Sequence, residues 1–401
     1  MVNDNTPALA TLIAGADRCV LCGLCMPHCT TYRTTPEEAE SPRGRIALIR
    51  AYTSGQLAYN AKLQQHLDHC LGCQACERVC PAEVPYTELL DQTKALLLAH
   101  KPKTGYSRLA DFALLRLIPY PQRLRQLRQI LQLLQHTGFL HWLQHRPWLA
   151  KTRLPGLLQL LPSLPTDTVP HGWNSYYPPQ APNRGSVALF TGCVAAVVEA
   201  DTLQAAITVI TRMGFGVYVP AAQTCCGALH QHNGHLAQAA QLQQRNATVF
   251  AALPIEAVIT TATGCQASLQ SLPLTVYDIH SFIQQWGQAL AFRACAQSVL
   301  VHEPCTLQSA DKTQLYALLA RVPGLQAKPL AHQRFCCGAG GSHLLQYPEL
   351  AAQMLADKLQ AIEQSGLTTV LTPNVGCALH FAKQAPQLTI QHPLVLLASL
   401  L

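Results

Sequence analysis

The chain is poor in charged residues and has no long apolar run. Only 12% of its 401 residues are Asp, Glu, Lys or Arg, against about 25% in an average domain. The longest apolar candidate is the C-terminal tail 393–401, far short of the roughly 20 residues that a membrane-spanning helix needs. The first residues also lack the basic start and apolar core of a signal peptide. We therefore expect a cytoplasmic protein without a transmembrane segment, at most peripheral on the inner face of the membrane.

Motifs for binding nucleotide cofactors are also missing. No G-x-G-x-x-G follows a predicted strand, and no Walker motif occurs. The sequence thus predicts no flavin or nicotinamide site of its own. The net charge of +7 is modest, and no nucleic-acid partner is predicted.

Cysteine, in contrast, is abundant and regularly spaced. Seventeen cysteines are present, and two stretches share the spacing C-x2-C-x2-C-x3-C. The first holds Cys19, Cys22, Cys25 and Cys29, and the second holds Cys70, Cys73, Cys76 and Cys80. This spacing is typical of paired [4Fe–4S] clusters, in which the fourth cysteine of each motif ligates the other cluster. The pattern therefore predicts cluster 1 on Cys19, Cys22, Cys25 and Cys80, and cluster 2 on Cys70, Cys73, Cys76 and Cys29.

Zinc and disulfides explain these eight cysteines less well. Structural zinc usually takes two C-x2-C pairs, or pairs with His, across a longer loop. Disulfides are typical of small exported domains. One departure from the ferredoxin pattern is Thr30 after Cys29, whereas Pro81 follows Cys80. His66 and His69 precede Cys70, but eight cysteines leave no ligand position for them. Arg43 and Arg45 in SPRGRI lie either near an anionic cluster or acidic partner, or on a solvated helix N-terminus.

Eight further cysteines form an internal repeat with an offset of about 112 residues. VALFTGC, CCGALH and VITTATGC in the first copy match VLVHEPC, CCGAGG and VLTPNVGC in the second. The first copy supplies Cys193, Cys225, Cys226 and Cys265, and the second supplies Cys305, Cys336, Cys337 and Cys377. Cys295 falls outside the repeat and is expected to be a lone buried thiol.

Short β-branched runs place the repeated cysteines at strand ends. VALF, GVYV and AVIT suit buried parallel strands, and helix-length segments such as 195–212 and 235–252 separate them. Strand–helix alternation predicts βαβ units, in which sites form at the carboxyl edge of the sheet. Each repeat should therefore bring its four cysteines together as a metal or redox site. The alternative is that they are small buried hydrophobic residues, although Cys-Cys-Gly favours an open turn with positive φ.

The segment between the two halves is basic. Residues 101–165 carry ten Lys or Arg and a single acid, Asp111. PQRLRQLRQILQLLQH predicts an amphipathic basic helix, followed by Trp142 and Trp148. Such a helix either lies on an anionic membrane surface or packs its leucines on a neighbouring domain; we favour the second. Residues 155–184 have the composition of a linker.

These observations predict a multidomain α+β and α/β protein. A helical ferredoxin-like domain with two [4Fe–4S] clusters spans 1–100, and the basic helical segment and linker span 101–184. Two cysteine-rich parallel-sheet domains, here called CCG domains, span 185–290 and 291–401.

The order of these motifs closely resembles the iron–sulfur subunit of glycolate oxidase (glycolate dehydrogenase). The resemblance rests on the two cluster motifs, the intervening SPRGRI, and the series TGC, CCGA, TGC, then PCTLQSA, FCCGAGG and NVGC. It implies a complex in which FAD-containing subunits oxidise glycolate to glyoxylate. The iron–sulfur chain would pass the electrons towards a quinone or other membrane acceptor and would not itself oxidise the substrate.

Related families leave alternatives open. Heterodisulfide reductase subunits and the iron–sulfur subunits of lactate or glycerol-3-phosphate dehydrogenases share parts of this layout. In heterodisulfide reductases the CCG domains end in C-x2-C, whereas here Ser268 and His380 occupy the final positions. The unusual non-cubane cluster is therefore not predicted. The CCG cysteines could hold a further ordinary iron–sulfur cluster, bind zinc or act as thiols.

Overall fold

The computed structural model describes residues 6–101, 105–138, 142, 175–307 and 309–401. The helices, in chain order, are α1 (Thr6–Asp17), α2 (Thr30–Thr34), α3 (Pro42–Thr53), α4 (Ala61–Asp68), α5 (Tyr86–Leu97), α6 (Gly105–Phe112), α7 (Pro121–His136), α8 (Ala195–Val198), α9 (Ala200–Arg212), α10 (Ala228–His232), α11 (Leu236–Ala251), α12 (Thr263–Gln270), α13 (Ile279–Trp286), α14 (Ser309–Leu319), α15 (His343–Gln346), α16 (Pro348–Ser365), α17 (Val375–Gln384) and α18 (Pro393–Ser399). The strands are β1 (Tyr176–Tyr177), β2 (Ser186–Phe190), β3 (Gly216–Tyr218), β4 (Val258–Thr260), β5 (Val276–Asp278), β6 (Ser298–Val301), β7 (Gln326–Pro329), β8 (Thr369–Leu371) and β9 (Thr389–Gln391).

The chain divides into two compact units. The N-terminal unit comprises Met1–Ala110, Ala228–Ala239 and Ala331–Ala361. The sheet unit comprises Asp111–Gly227, Ala240–Leu330 and Ile362–Leu401. Each unit is described by itself.

The core of the N-terminal unit is helical. Helices α1, α3, α4 and α5 pack together through Leu12, Ile49, Leu67, Leu90 and Leu97, which are almost completely buried. Helix α3 begins at Pro42, whose fixed φ suits the first turn, and the Ser41 Oγ caps it by accepting from the Gly44 N–H at 3.0 Å. These helices hold the cysteine-bearing loops between them.

Gly44 provides a test of this close packing. A Cβ at this position would collide with the backbone carbonyl of Glu38, which cannot move away as a flexible side chain could. We expect Gly44→Ala to lower the free energy of unfolding by about 2 kcal/mol, measured by denaturant unfolding. Gly105→Ala is the matched control, since nothing lies within 4 Å of its Cβ position and alanine favours a helix. An equal loss of stability in the two variants would contradict this packing.

The sheet unit contains two sheets with the same strand arrangement. The first has the order β1-β3-β2-β4-β5, and the second has the order β7-β6-β8-β9. All neighbours pair in parallel except β1, which pairs antiparallel with β3. In each sheet the chain moves outward from the first strand of its repeat and then crosses to the other side. This reversal creates the kind of crevice in which α/β sheets place their sites.

The repeat extends to the packing between the two sheets. Helix α9 of the first copy packs on α18 of the second, and α14 packs on α13. The 112-residue offset makes these two contacts equivalent, as expected for an approximately two-fold arrangement. The buried His280 and His392, also 112 residues apart, stack with ring centroids 5.3 Å apart. A single apolar core therefore serves both copies.

The structure agrees with the predicted basic helix and its packing. Helix α7 spans Pro121–His136, as the leucine pattern indicated, and it packs on α8 of the first repeat. Just before it, the Pro119 carbonyl accepts from the Cys225 N–H at 3.0 Å. Ile130 and Leu133 nevertheless remain more than half exposed. The helix thus docks on its own chain, which favours that alternative over the membrane surface.

Two local predictions differ from the structure. The predicted helix 195–212 is broken at Glu199 into α8 and α9. Within the predicted linker, Tyr176–Tyr177 forms the edge strand β1, while residues 155–174 and Trp148 lie outside the described residues. Within the described part of the chain, no helix is long and apolar enough to cross a membrane.

Candidate iron–sulfur and thiol sites

The first cysteine motif and the last cysteine of the second line one cavity of the N-terminal unit. Its walls include Cys19, Cys22, Cys25 and Cys80, together with Cys76 of the neighbouring set. Cys19 follows the end of α1, and Cys80 lies just before α5, which packs on α1. The packing of these two helices therefore brings Cys80 to the first motif, as the crossed-ligand pattern predicts.

A second cavity has the complementary set of cysteines. Cys70, Cys73, Cys76 and Cys29 line it. Cys29 precedes α2, and Cys70 follows α4. Tyr86 and Pro42 line both cavities, so the two sites are neighbours. The two cavities thus share the eight cysteines, with Cys76 at the boundary of both. Their sulfurs are suited to hold two [4Fe–4S] clusters, and the assignment of each ligand set stays a prediction.

Burial affects the protonation of these thiols. It raises the pKa of Cys25 to about 11, and it raises the pKa of Cys76 well above its ordinary range, with further contributions from Cys70 and Cys73. A buried thiolate is favoured only beside positive charge. Cluster iron would supply that charge, and the donor set therefore fits the group.

A buried ion-pair network borders the second cavity. Arg45 is 1% exposed, and its Nη2 lies 2.5 Å from the Glu40 Oε2. Its Nη1 donates to the Thr31 Oγ1 at 2.8 Å, and its Nε donates to the His66 carbonyl. The solvated position considered for Arg45 is therefore wrong. Arg43 fits it better, since it is partly exposed and pairs with Glu38 at 2.7 Å.

Glu40 also holds the two histidines noted before Cys70. Its Oε1 lies 2.7 Å from the His66 Nδ1 and 2.9 Å from the His69 Nδ1. Burial opposes ionisation of Glu40, but hydrogen bonding from His69 and the charge of Arg45 lower its pKa overall. For Arg45, burial opposes the charge, whereas Tyr86, Cys70 and Cys29 raise the pKa. The network thus keeps a guanidinium charged near two of the predicted cluster ligands.

The first CCG repeat brings its four cysteines together within the sheet unit. Cys193 follows β2, Cys225 and Cys226 follow β3, and Cys265 lies in the first turn of α12 after β4. Hydrogen bonds link Cys225 to Cys193 and Cys226, and Cys226 to Cys265; together with burial they raise the pKa of Cys225 and of Cys265. The convergence predicted at the carboxyl edge of the sheet therefore occurs.

Glycines shape both CCG turns. Gly227 and Gly338 have φ values of 91° and 88°, the left-handed region that favours glycine. The positive-φ turn expected from Cys-Cys-Gly is therefore confirmed. Gly192, with φ of 68°, has the Cys265 Sγ 4.0 Å from its Cβ position.

A buried carboxyl group lies near the first CCG site. The Glu199 Oε2 is buried without a hydrogen-bond partner among the described residues, and Glu199 raises the pKa of Cys265. Burial raises the pKa of Glu199 itself to about 7. The sequence indicated this residue only as an acid inside a predicted helix.

Glu199 predicts a pH dependence of stability. Its folded-state pKa of about 7 exceeds the ordinary value of 4.5, so above pH 4.5 the folded state binds the proton more strongly than the unfolded state. Stability should therefore fall by about 3 kcal/mol as pH rises from about 4.5 to 7. Glu199→Gln should remove this part of the dependence and should be the more stable protein at pH 8. Denaturant unfolding of the metal-free chain at several pH values measures the difference, and parallel pH profiles of the two proteins would contradict the assignment.

The second CCG repeat is divided between the units. In the sheet unit, Cys305 follows β6 and Cys377 lies in α17, whose N-terminus the Asn374 side chain caps. Cys336 and Cys337 follow β7 along the chain, in the range that belongs to the N-terminal unit. There the Cys336 N–H donates to the Thr30 Oγ1 at 2.9 Å. The grouping of these four cysteines remains a prediction.

The residues that replace cysteine at the ends of the CCG motifs lie on the same helices as the last cysteines. Ser268 is three residues beyond Cys265 in α12, and His380 is three beyond Cys377 in α17. His380 is completely buried. Cys295 is half-buried, and its thiol lies 3.8 Å from the Gln297 Oε1.

Comparison with known families agrees with this arrangement of cysteine motifs and repeats. Residues 15–84 match the model described as "4Fe-4S dicluster domain", and residues 187–270 and 299–382 match the "Cysteine-rich domain". The chain therefore combines a helical ferredoxin-type iron–sulfur domain with two cysteine-rich domains of parallel-sheet α/β structure.

Along most of its length, the chain is similar to glycolate oxidase iron–sulfur subunits. It is 29% identical to the "Glycolate oxidase iron-sulfur subunit" of Escherichia coli over 93% of this chain and 91% of that protein. It is 28% identical to the "Probable glycolate oxidase iron-sulfur subunit" of Bacillus subtilis over 90% of this chain and 87% of that protein. A partial match is a fumarate reductase (CoM/CoB) component of Methanothermobacter marburgensis, 30% identical over 49% of this chain and 42% of that protein. The resemblance predicted from the sequence is thus confirmed.

Proposed function

We propose that this chain is the electron-transfer subunit of a glycolate oxidase complex. It would receive electrons from FAD-containing subunits that oxidise glycolate to glyoxylate and pass them towards a quinone-type acceptor. The observation that carries this proposal is the pair of neighbouring cavities lined by crossed cysteine sets. The full-length similarity to glycolate oxidase iron–sulfur subunits supports the choice of substrate.

The chain's own residues would hold and shield the redox groups. We propose that Cys19, Cys22, Cys25 and Cys80 hold one [4Fe–4S] cluster and that Cys29, Cys70, Cys73 and Cys76 hold the other. When bound, the clusters supply one-electron transfer, which suits a flavin that releases its two electrons singly. The buried side chains of Tyr86 and Arg45 would exclude water beside these clusters, and the Arg45 charge would favour the anionic ligand set.

A tagged full-length chain, purified anaerobically from its own cells, tests this function. We expect an FAD protein to co-purify and the complex to reduce a water-soluble quinone when glycolate is added. Cys73→Ala should abolish this activity, whereas Cys295→Ala, outside both motifs, should retain it. Full activity of the Cys73→Ala complex would refute the electron-transfer role. Oxidation of another 2-hydroxyacid or of glycerol 3-phosphate, but not of glycolate, would refute the substrate.

The four linked thiols of the first repeat support a second candidate, reduction of a disulfide. The step would consume two electrons delivered by the iron–sulfur clusters and two protons, and it would convert one disulfide into two thiols. The partial similarity to the fumarate reductase (CoM/CoB) component is compatible with such chemistry. Cys226→Ala should then abolish turnover of a disulfide substrate but leave glycolate-dependent dye reduction intact. If the site instead holds a further iron–sulfur cluster, Cys226→Ala should lower the iron content.

A further inference from the structure

The two cysteine motifs have equivalent loops but different surroundings. An offset of 51 residues aligns Val20 with Leu71 and Leu24 with Ala75. Leu71 and Ala75 are each only 7% exposed, whereas Val20 is 71% and Leu24 is 56% exposed. The same apolar face of the loop is therefore covered in one motif and open in the other.

Polypeptide of the same unit covers the second motif. Gly340 packs so closely on Leu71 that a Cβ at the glycine would meet the Leu71 backbone carbonyl at 2.5 Å. The His69 ring contacts Tyr347 edge-on, with centroids 4.5 Å apart. A Cβ at Gly72 would lie 3.8 Å from the His232 Cε1. The apolar face of the second motif is therefore covered by protein and is not open to solvent.

The open loop of the first motif is held rigidly. Leu21 has φ of 57°, the left-handed conformation that its counterpart Gly72 adopts without strain. The Arg43 Nη1 donates to the Leu21 carbonyl at 3.1 Å, and two bonds to Glu38 fix the guanidinium. Leu21 is 57% exposed, and Cys22, a predicted ligand of cluster 1, is exposed beside it. A preorganised apolar loop around an exposed ligand is suited to docking a protein at low conformational cost.

The charges around the loop favour a protein partner over an anionic membrane. The two nearby arginines are each paired with an acid, Arg18 with Glu83 at 3.9 Å and Arg43 with Glu38 at 2.7 Å. Among the residues that the structure describes, acids thus balance both arginines of this rim, and it shows no basic cluster of the kind that binds anionic lipids. Three apolar side chains surrounded by paired charges resemble the apolar centre and polar rim of a protein interface.

We propose that Val20, Leu21 and Leu24, around Cys22, form the docking surface for the flavin-containing subunit. The inference rests on the proposed function, and it names the surface at which electrons pass from the flavin-containing subunit to this chain. Cluster 1 is then the cluster nearest to the flavoprotein, and cluster 2 lies on the side covered by the chain's own residues. The apolar loop excludes water around the point at which the electron passes.

The test compares Val20→Ser/Leu24→Ser with the control Leu109→Ser/Leu133→Ser, which removes apolar side chains that are 64% and 65% exposed elsewhere. Full-length chains are reconstituted anaerobically and mixed with the flavoprotein recovered with the tagged wild-type chain. The loop variant should bind at least about tenfold more weakly, and its clusters should be reduced correspondingly more slowly by the reduced flavoprotein. Iron content and reduction by dithionite should match those of the control.

Each other occupant gives a distinct result. Unchanged binding and reduction rates would overturn the proposal. Loss of self-association alone would assign the surface to a second copy, and loss of sedimentation with phosphatidylglycerol vesicles alone would assign it to a membrane; either overturns it. If the recovered flavoprotein fails to oxidise glycolate but binds through this loop, the proposed function fails while the docking surface stands.

Discussion

Simultaneous loss of Cys22 and Cys80 should remove one cluster, although these cysteines belong to different motifs. Both line the first cavity, and we expect a cubane that loses any of its four cysteine ligands not to persist. We expect the Cys22→Ala/Cys80→Ala chain to bind about four fewer iron atoms than the wild type. Iron and sulfide analysis with EPR of the reduced protein should then show one remaining ferredoxin-type cluster.

The complementary double variant separates crossed from uncrossed ligation. Cys22 and Cys29 lie in the same motif but line different cavities, so Cys22→Ala/Cys29→Ala should lose about eight iron atoms. Uncrossed ligation would reverse the two results. Cys22→Ala/Cys29→Ala, which alters a single motif, would then lose about four iron atoms, and Cys22→Ala/Cys80→Ala would lose about eight. Circular dichroism shows whether the helices persist in each variant. Cys295→Ala is the control and should keep its full iron content.

Repeated spacing made much of this site predictable, because ligand geometry and strand ends constrain the local sequence. The intervals along the chain predict the crossed cysteine sets, whose role as cluster ligands stays a prediction, and they also predict that the four thiols of the first CCG repeat lie together. The leucine pattern likewise gave the bounds of α7 without the structure. The grouping of Cys305, Cys336, Cys337 and Cys377, the domain boundaries and the number of bound clusters remain predictions.

What could not be predicted depends on contacts between residues distant in sequence. Arg45 lies in a short polar stretch that resembles a solvated helix start, and only the approach of His66 from α4 encloses it. The cysteine motifs did not predict that Val20 is exposed while its counterpart Leu71 is buried. Leu71 is buried because residues near Gly340, distant in sequence, pack on it. Tyr176–Tyr177 looked like linker because a two-residue edge strand has no periodic pattern.

Replacing Arg45 should destabilise the N-terminal unit strongly. Arg45→Met keeps most of the side-chain volume but leaves the carboxylate of Glu40, 2% exposed, without its guanidinium partner. Removing one member of a buried ion pair costs about 3–5 kcal/mol, because the remaining charge stays buried. Denaturant unfolding of the metal-free chain should show this loss. Arg43→Met, which alters an exposed pair, should have little effect.

The double variant Arg45→Met/Glu40→Gln decides the cause of that loss. If the cost arises from an uncompensated carboxylate, removing its charge should recover most of the lost stability, and Glu40→Gln alone should be destabilising because it strands the guanidinium. If the cost arises from packing, the double variant should be at least as unstable as Arg45→Met. We expect the double variant to recover stability. The Arg45 guanidinium donates hydrogen bonds to Glu40, Thr31 and the His66 carbonyl, so its role in the network is electrostatic. The intact ion pair would then add little net stability to the fold, even though breaking it is costly. Its role would be its position beside Cys29 and Cys70, where a buried positive charge favours thiolate ligands.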